Sequence, residues 1–269
     1  MRILVATGGA PHTDEAIHLG RVVCEMSNGL LTLLTVIKHE VERTQAEAIL
    51  VRAKTLMPHM EAQTCIRMGR AAEEIIREAE EGAYQLVILG ERMRHRLAGR
   101  LPAPTAEQVI SHMPCPVLIA RGRSRPLRRV LVCESGRDPS LLNRLITRLS
   151  MLLKYVDELT VLHVMSQIAA APGVPGWELR ADARELIEKQ TPEGSLLEDD
   201  LVRLEALNVR LEAKVRHGLV VREILTEAQS GDYDLVVIGA HQWKGWERYL
   251  LDNLANEIID HADRPLLVV

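Results

Sequence analysis

The chain has 269 residues, 47% of them hydrophobic and 26% charged, with a formal net charge of −4. That is the profile of a folded globular protein long enough for two domains, and it excludes a disordered chain. The small negative charge, the 3% aromatic content and the lack of phenylalanine argue against nucleic acid and anionic membrane as partners.

Met1-Arg2 runs straight into a strand-like "ILVAT" (3–7), so no signal peptide is expected. Thr13 reads as the cap of a helix that stops at Asn28-Gly29. "LTLLTVI" (31–37), "CIRMG" (65–69) and "LVILG" (86–90) read as further strands, with helical patterns between them. "GERMRHRLAGRLPAP" (90–104) follows, carrying Arg92, Arg94, Arg96 and Arg100. A helix and a last strand make up "AEQVISHMPCPVLIA" (106–120). "RGRSRPLRR" (121–129) reads as a solvated connector.

The same order then returns. "VLVCE" (130–134) repeats "ILVAT" at an offset of 127, and "LTVLHVM" (159–165) repeats "LTLLTVI" at 128. "KVRHG" (214–218), "LVVIG" (235–239) and "ANEIIDHADRPLLVV" (255–269) repeat their counterparts at 149. One insertion of 149 − 128 = 21 residues explains the change, and "SQIAAAPGVPGW" (166–177) marks its start. In the second half, Asp138 is the expected helix cap, with Pro139 at the first helical position. The domains are thus expected at 1–122 and 129–269, joined by a linker at 123–128.

Strands separated by helices imply βαβ units, so each half is expected to be α/β, a five-stranded parallel sheet flanked by helices. The strands are continuous apolar runs, as expected when helices cover both faces. If the strand order is 3-2-1-4-5, a ligand belongs beyond the carboxyl ends of the first and fourth strands, where the order reverses. Those ends are "ATGGAP" (6–11) and the arginine loop in the first half, and "CESGRD" (133–138) and "GAHQWKGWERYLLDN" (239–253) in the second. The ligand-binding candidates are therefore Gly8, Gly9, Gly90, Arg92 and Arg94, and Glu134, Ser135, Gly239, His241 and Asn253.

"ILVA" at the start, "LVILG" and "LVVIG" before a long loop, "PCPVLIA" at a domain end and the duplication together resemble a tandem universal stress protein. The resemblance implies two Rossmann-like, adenine nucleotide α-hydrolase-like domains and a regulatory role in stress response. Nucleotide-binding members resemble G-x2-G-x9-G-[ST] after the fourth strand, because glycines admit phosphate to the backbone and the next helix supplies N–H donors. Here those positions are Gly90, Met93, Ala103 and Pro104, then Gly239, Gln242, Asp252 and Asn253. One glycine of the pattern survives in each half, Pro104 lacks an N–H, and Asp252 puts negative charge where phosphate would lie. The aspartate that faces adenine in the family is matched to Gly8 in the first half and Glu134 in the second.

The expectation is a cytoplasmic, non-enzymatic regulator with weak or absent binding of ATP and no certain cofactor, ATP or another adenine nucleotide being the possible one. An ATP- or other adenine-nucleotide-binding stress protein and a pure protein-interaction scaffold are the alternatives. The arginines could grip phosphate in place of the glycines. No G-x-S-x-G or H-E-x-x-H element is present, and His112, Cys115 and the recurring His261 assemble no metal site. Cys24, Cys65, Cys115 and Cys133 form no C-x-x-C pair and read as reduced thiols. Trp243 and Trp246 read as interface anchors or local packing, and Trp177 as part of a surface loop or lid. A homodimer and a regulatory protein partner follow from the resemblance. The last strand of each half carries no Lys or Glu, so residues 116–120 and 265–269 are expected to pair antiparallel and cover each other.

Overall fold

The computed structural model describes residues 1–90, 105–122, 125–136, 140–166, 176–239 and 247–269, with Leu179 and residues 247–253 described by backbone alone. The chain divides into Met1–Pro126 with Asp263–Val268, and Leu127–Ala262 with Val269.

The first unit runs β1 (Arg2–Ala6), α1 (Pro11–Ser27), β2 (Leu30–Ile37), α2 (Arg43–Thr55), β3 (Ala62–Met68), α3 (Ala71–Glu81), β4 (Leu86–Gly90), α4 (Thr105–His112) and β5 (Val117–Ala120). Its strands are parallel in the order β3-β2-β1-β4-β5, the expected 3-2-1-4-5. Ile3, Leu4, Val5, Leu33, Leu34 and Leu86 are buried, consistent with strands covered on both faces. Thr13 does not cap α1. Ala10 holds that position, and the Thr13 hydroxyl donates to the Ala10 carbonyl at 2.6 Å from inside the first turn. Asn28 does end the helix, in the left-handed conformation (φ 46°) that a C-terminal turn favours.

The second unit runs β6 (Arg129–Glu134), α5 (Leu141–Leu153), β7 (Glu158–Met165), α6 (Ala183–Glu188), α7 (Pro192–Leu204), β8 (Arg210–His217), α8 (Val220–Ser230), β9 (Leu235–Ile238) and α9 (Glu247–His261). Its strands are parallel in the order β8-β7-β6-β9. Ser140 caps α5 by accepting from Asn143 N at 3.1 Å, so the cap is not Asp138; Asp138 and Pro139 lie outside the described residues. The insertion supplies α6, capped by Asp182, and Thr191 caps α7. Gly194 lets α7 touch the Leu186 carbonyl, where a Cβ would collide with backbone. His217, at the end of β8, anchors the insertion by placing Nε2 2.8 Å from the Ala181 carbonyl. Lys189 Nζ sits 3.6 Å from the centre of the Trp177 ring, so Trp177 is engaged within the insertion.

The final strand, β10 (Leu266–Val268), belongs to the first unit. It runs antiparallel to β5 as expected, pairing Leu266 with Ile119, Leu267 with Leu118 and Val268 with Val117. Val117 and Leu266 are buried, so an apolar sheet edge is removed from water. One residue later, Val269 belongs to the second unit, where its N–H donates to Ile238 O at 3.0 Å.

Each unit also braces its third strand with ions. In the first, Arg67 pairs with Glu78 at 2.6 Å and with Glu74 and Glu81, and Tyr84 donates to Glu78 at 3.1 Å. In the second, Arg216 pairs with Glu223 at 2.8 Å and Glu227 at 2.9 Å, and Tyr233 donates to Glu227 at 3.0 Å. Lys214 joins the second cluster at 3.0 Å from Glu227, in the place where the first has Cys65. Burial works against the Glu227 carboxylate, but hydrogen bonds from Lys214, Arg216 and Tyr233 outweigh it and hold its pKa below the usual range.

Candidate functional site

The crevice expected from the strand order lies where β1 meets β4, and where β6 meets β9. In the first unit Ala6 is paired with Leu89, which brings Thr7 level with Gly90. In the second, Val132 is paired with Val237, two residues before Glu134 and Gly239. The structure therefore brings Gly8, Gly9 and Gly90 to one end of the first sheet, and Glu134, Ser135 and Gly239 to the same end of the second. Arg92, Arg94 and His241 lie outside the described residues, as do Met93, Ala103, Pro104, Gln242, Trp243 and Trp246, and so do the side chains of Asp252 and Asn253.

Gly8 is exposed, with nothing within 4 Å of where a Cβ would stand. Gly9 has φ +76°, and a Cβ there would come 2.7 Å from Ile49 Cγ1. Gly90 is held by packing. Its Cβ would collide with the His12 carbonyl and stand 2.8 Å from Thr13 Cα, so a glycine is needed to let α1 close on β4. This glycine of the phosphate-loop pattern is explained without phosphate.

The residue that corresponds to Glu134 is Thr7, not Gly8. Ala6 pairs with Leu34 as Cys133 pairs with Leu162, and Thr7 N continues the ladder to Leu34 O at 2.9 Å. The repeat carried the signal, since the offset of 127 that relates Ile3 to Val130 also relates Thr7 to Glu134. Both side chains serve their own loops. Thr7 Oγ1 accepts from Gly9 N at 3.3 Å and donates to Thr13 Oγ1 at 3.0 Å. Glu134 is 3% exposed; its Oε1 accepts from Ser135 N at 2.9 Å and Gly136 N at 3.2 Å, and its Oε2 accepts from Leu142 N at 3.1 Å. Gly136 repeats Gly9, with φ +72°. A residue at the end of the second strand supports each loop from below. Thr35 Oγ1 donates to Thr7 O at 3.0 Å, and His163 Nδ1 lies 3.2 Å from Glu134 O.

The helix above the loop also recurs. A Cβ on Gly9 meets Ile49 of α2, and a Cβ on Gly136 would stand 3.0 Å from Leu196 Cδ2 of α7. That contact aligns the two helices at an offset of 196 − 49 = 147, so 19 inserted residues precede α7 and two follow it. On this alignment the buried Leu50, Ala53 and Met57 match the buried Leu197, Asp200 and Leu204. Sequence reasoning missed Asp200, because the strand offset of 149 matches it to the exposed Val51.

His112 and His261 each place Nδ1 on the carbonyl four residues back, Gln108 at 3.0 Å and Glu257 at 2.7 Å, in the last turn of α4 and α9. This suits a donor at a helix carboxyl end. Among the described residues no group of three or more His, Cys, Asp or Glu could hold a metal ion, and no helix is long and apolar enough to cross a membrane.

Comparison with known proteins agrees with this duplication. A universal stress protein of Methanocaldococcus jannaschii is 26% identical over 153 residues, 56% of this chain and 86% of that protein. The crystal structure of a universal stress protein from Archaeoglobus fulgidus superposes with a TM-score of 0.68 at 15% identity, covering 99% of this chain and 95% of the other. A functionally unknown protein of Pseudomonas aeruginosa PAO1 gives 0.68 at 17% identity, covering 100% and 92%. The universal stress protein family matches residues 1–121 and again 126–269, and the chain belongs to that family, as two of its domains in tandem.

Proposed function

We propose that this protein is a non-enzymatic regulator in stress response whose strand-end sites have given up the standard binding of ATP. The observation that carries this reading is the state of the Glu134 carboxylate. Its two oxygens already accept three backbone N–H groups, each such charge-assisted bond being worth about 1.5–3 kcal/mol. An adenine that recruited Glu134 would have to break them. Thr7 is committed in the same way, and Gly90 is needed for packing. Among the described residues neither loop offers an uncommitted acid or base beside a phosphate position, and phosphoryl transfer depends on such positioned groups. The family resemblance adds a cytoplasmic location, a homodimer and a regulatory protein partner to the reading.

Calorimetry of the full chain with ATP and Mg²⁺ tests it. The expected result is no low-micromolar binding and no steady hydrolysis. Low-micromolar binding abolished by Glu134→Ala would instead favour an adenine-nucleotide-binding stress protein. Binding abolished by Arg92→Ala with Arg94→Ala would place the nucleotide in the first half.

A further inference from the structure

The second unit buries a carboxylate where the first buries a methyl group. Asp200 takes the place of Ala53 on the helix face turned to the sheet, and it is 0% exposed. Among the described residues its Oδ2 has no hydrogen-bond partner, and its Oδ1 is 3.4 Å from Arg203 Nη1, one turn along α7. We propose that Asp200 is a proton-operated latch that holds Leu196 of α7 on Gly136 when its carboxyl is protonated and releases the helix when it ionises.

Among the described residues, three charged groups act on Asp200 besides its burial. Burial comes first and disfavours its charge, Glu134 from β6 adds to that effect, Arg203 opposes it, and Asp199 reinforces it from the same helix. From β7, His163 lies against the Glu134 carbonyl. Burial, Glu134 and Asp199 outweigh Arg203 and push the Asp200 carboxyl up to about 7. Glu134 is tied by the N–H groups of Ser135, Gly136 and Leu142, so it cannot turn away from a second negative charge. The helix can. Gln190 and Asn208 flank α7 in the left-handed region, at φ 52° and 54°, and mark where the chain turns on either side of it. Leu196 rests on Gly136 one turn from Asp200, so a movement of α7 uncovers the loop directly.

The sign follows from proton linkage. The closed state holds a carboxyl that titrates near 7, whereas a solvated aspartate titrates near 3.8. The closed state therefore binds more protons, and its advantage is present in acid, falls between about pH 4 and pH 7, and is flat above. The latch needs no nucleotide, so its test is independent of the reading given above.

Hydrogen exchange on the full chain at pH 5 and pH 7.5, corrected for intrinsic rates, decides it. In the natural protein, amides of residues 193–204 and of Leu142 should lose at least ~10-fold protection at the higher pH, since the linkage allows up to tenfold per pH unit. Residues 43–55 of α2 should change far less. Asp200→Ala, which installs the residue the first unit uses, and Asp200→Asn should hold the same protection at both pH values. Equal protection of the natural protein at both pH values would overturn the latch. So would an undiminished pH response in Asp200→Ala, or a parallel loss across α2.

Discussion

The two units solve one folding problem with different chemistry. The first builds its strand-end corner from Thr7, Thr35 and Ala53, all neutral and small. The second builds the same corner from Glu134, His163 and Asp200. The loop geometry is unchanged, because the glycine φ of +76° and +72° and the bond from that glycine's N–H to the strand-end side chain recur. The two units thus share the backbone and its hydrogen bonds and differ in whether the side chains at this corner ionise. At this corner the second unit carries ionisable groups that the first lacks.

The shared backbone should be the costliest thing to disturb. Gly90→Ala drives a Cβ into the His12 carbonyl, and neither backbone can yield easily. We expect a loss of about 3 kcal/mol or more, or failure to fold, in urea denaturation. Gly8→Ala, at an open position, should cost under ~0.5 kcal/mol. Equal effects would show that Gly90 is not a packing glycine.

The next effect separates the units. Glu134→Ala strands three N–H groups, and about 2–4 kcal/mol should be lost; Thr7→Ala should cost about 1 kcal/mol. A Thr7 variant as damaging as the Glu134 variant would break the comparison.

A smaller effect comes from the ion clusters. Since hydrogen bonds hold the Glu227 pKa below its ordinary value, its contribution is present above the usual carboxylate range and is lost as pH falls through the depressed value. Glu227→Gln should therefore lower the melting temperature at pH 7 and narrow its gap to the natural protein below about pH 4. Lys214→Cys, which copies the first cluster into the second, should cost about 1 kcal/mol at neutral pH and less in high salt.

Most of the fold was legible because parallel strands buried on both faces read as continuous apolar runs, and the repeat offsets matched the elements of one half to those of the other. The sheet-edge pairing was legible for the same reason, since β5 and β10 carry nothing that tolerates water. Caps were less so. Thr13 and Ser140 occupy equivalent places 127 apart, yet Ser140 caps and Thr13 bonds backward, because α1 starts at Pro11 with Ala10 outside it. The site was the least legible. Whether a glycine serves a ligand or a close approach depends on what stands opposite, and His12 is far from Gly90 in sequence. Asp200 was hidden because two residues added after α7 shift the helix against the strand offset, and a composition pattern does not reveal that a charged residue faces inward.

The placement of β10 has a consequence for how the chain is made. Residues 266–268 complete the sheet of the first unit, but they leave the ribosome only after residues 127–262 have been synthesised. Through that interval β5 waits with its outer rim bare, and nascent chains stalled at the same stage on a polysome would present identical rims to one another. A chain lacking residues 266–268 would keep that rim bare and open to capture by chaperones or neighbours. The half made first therefore closes its sheet only after the second half has been made.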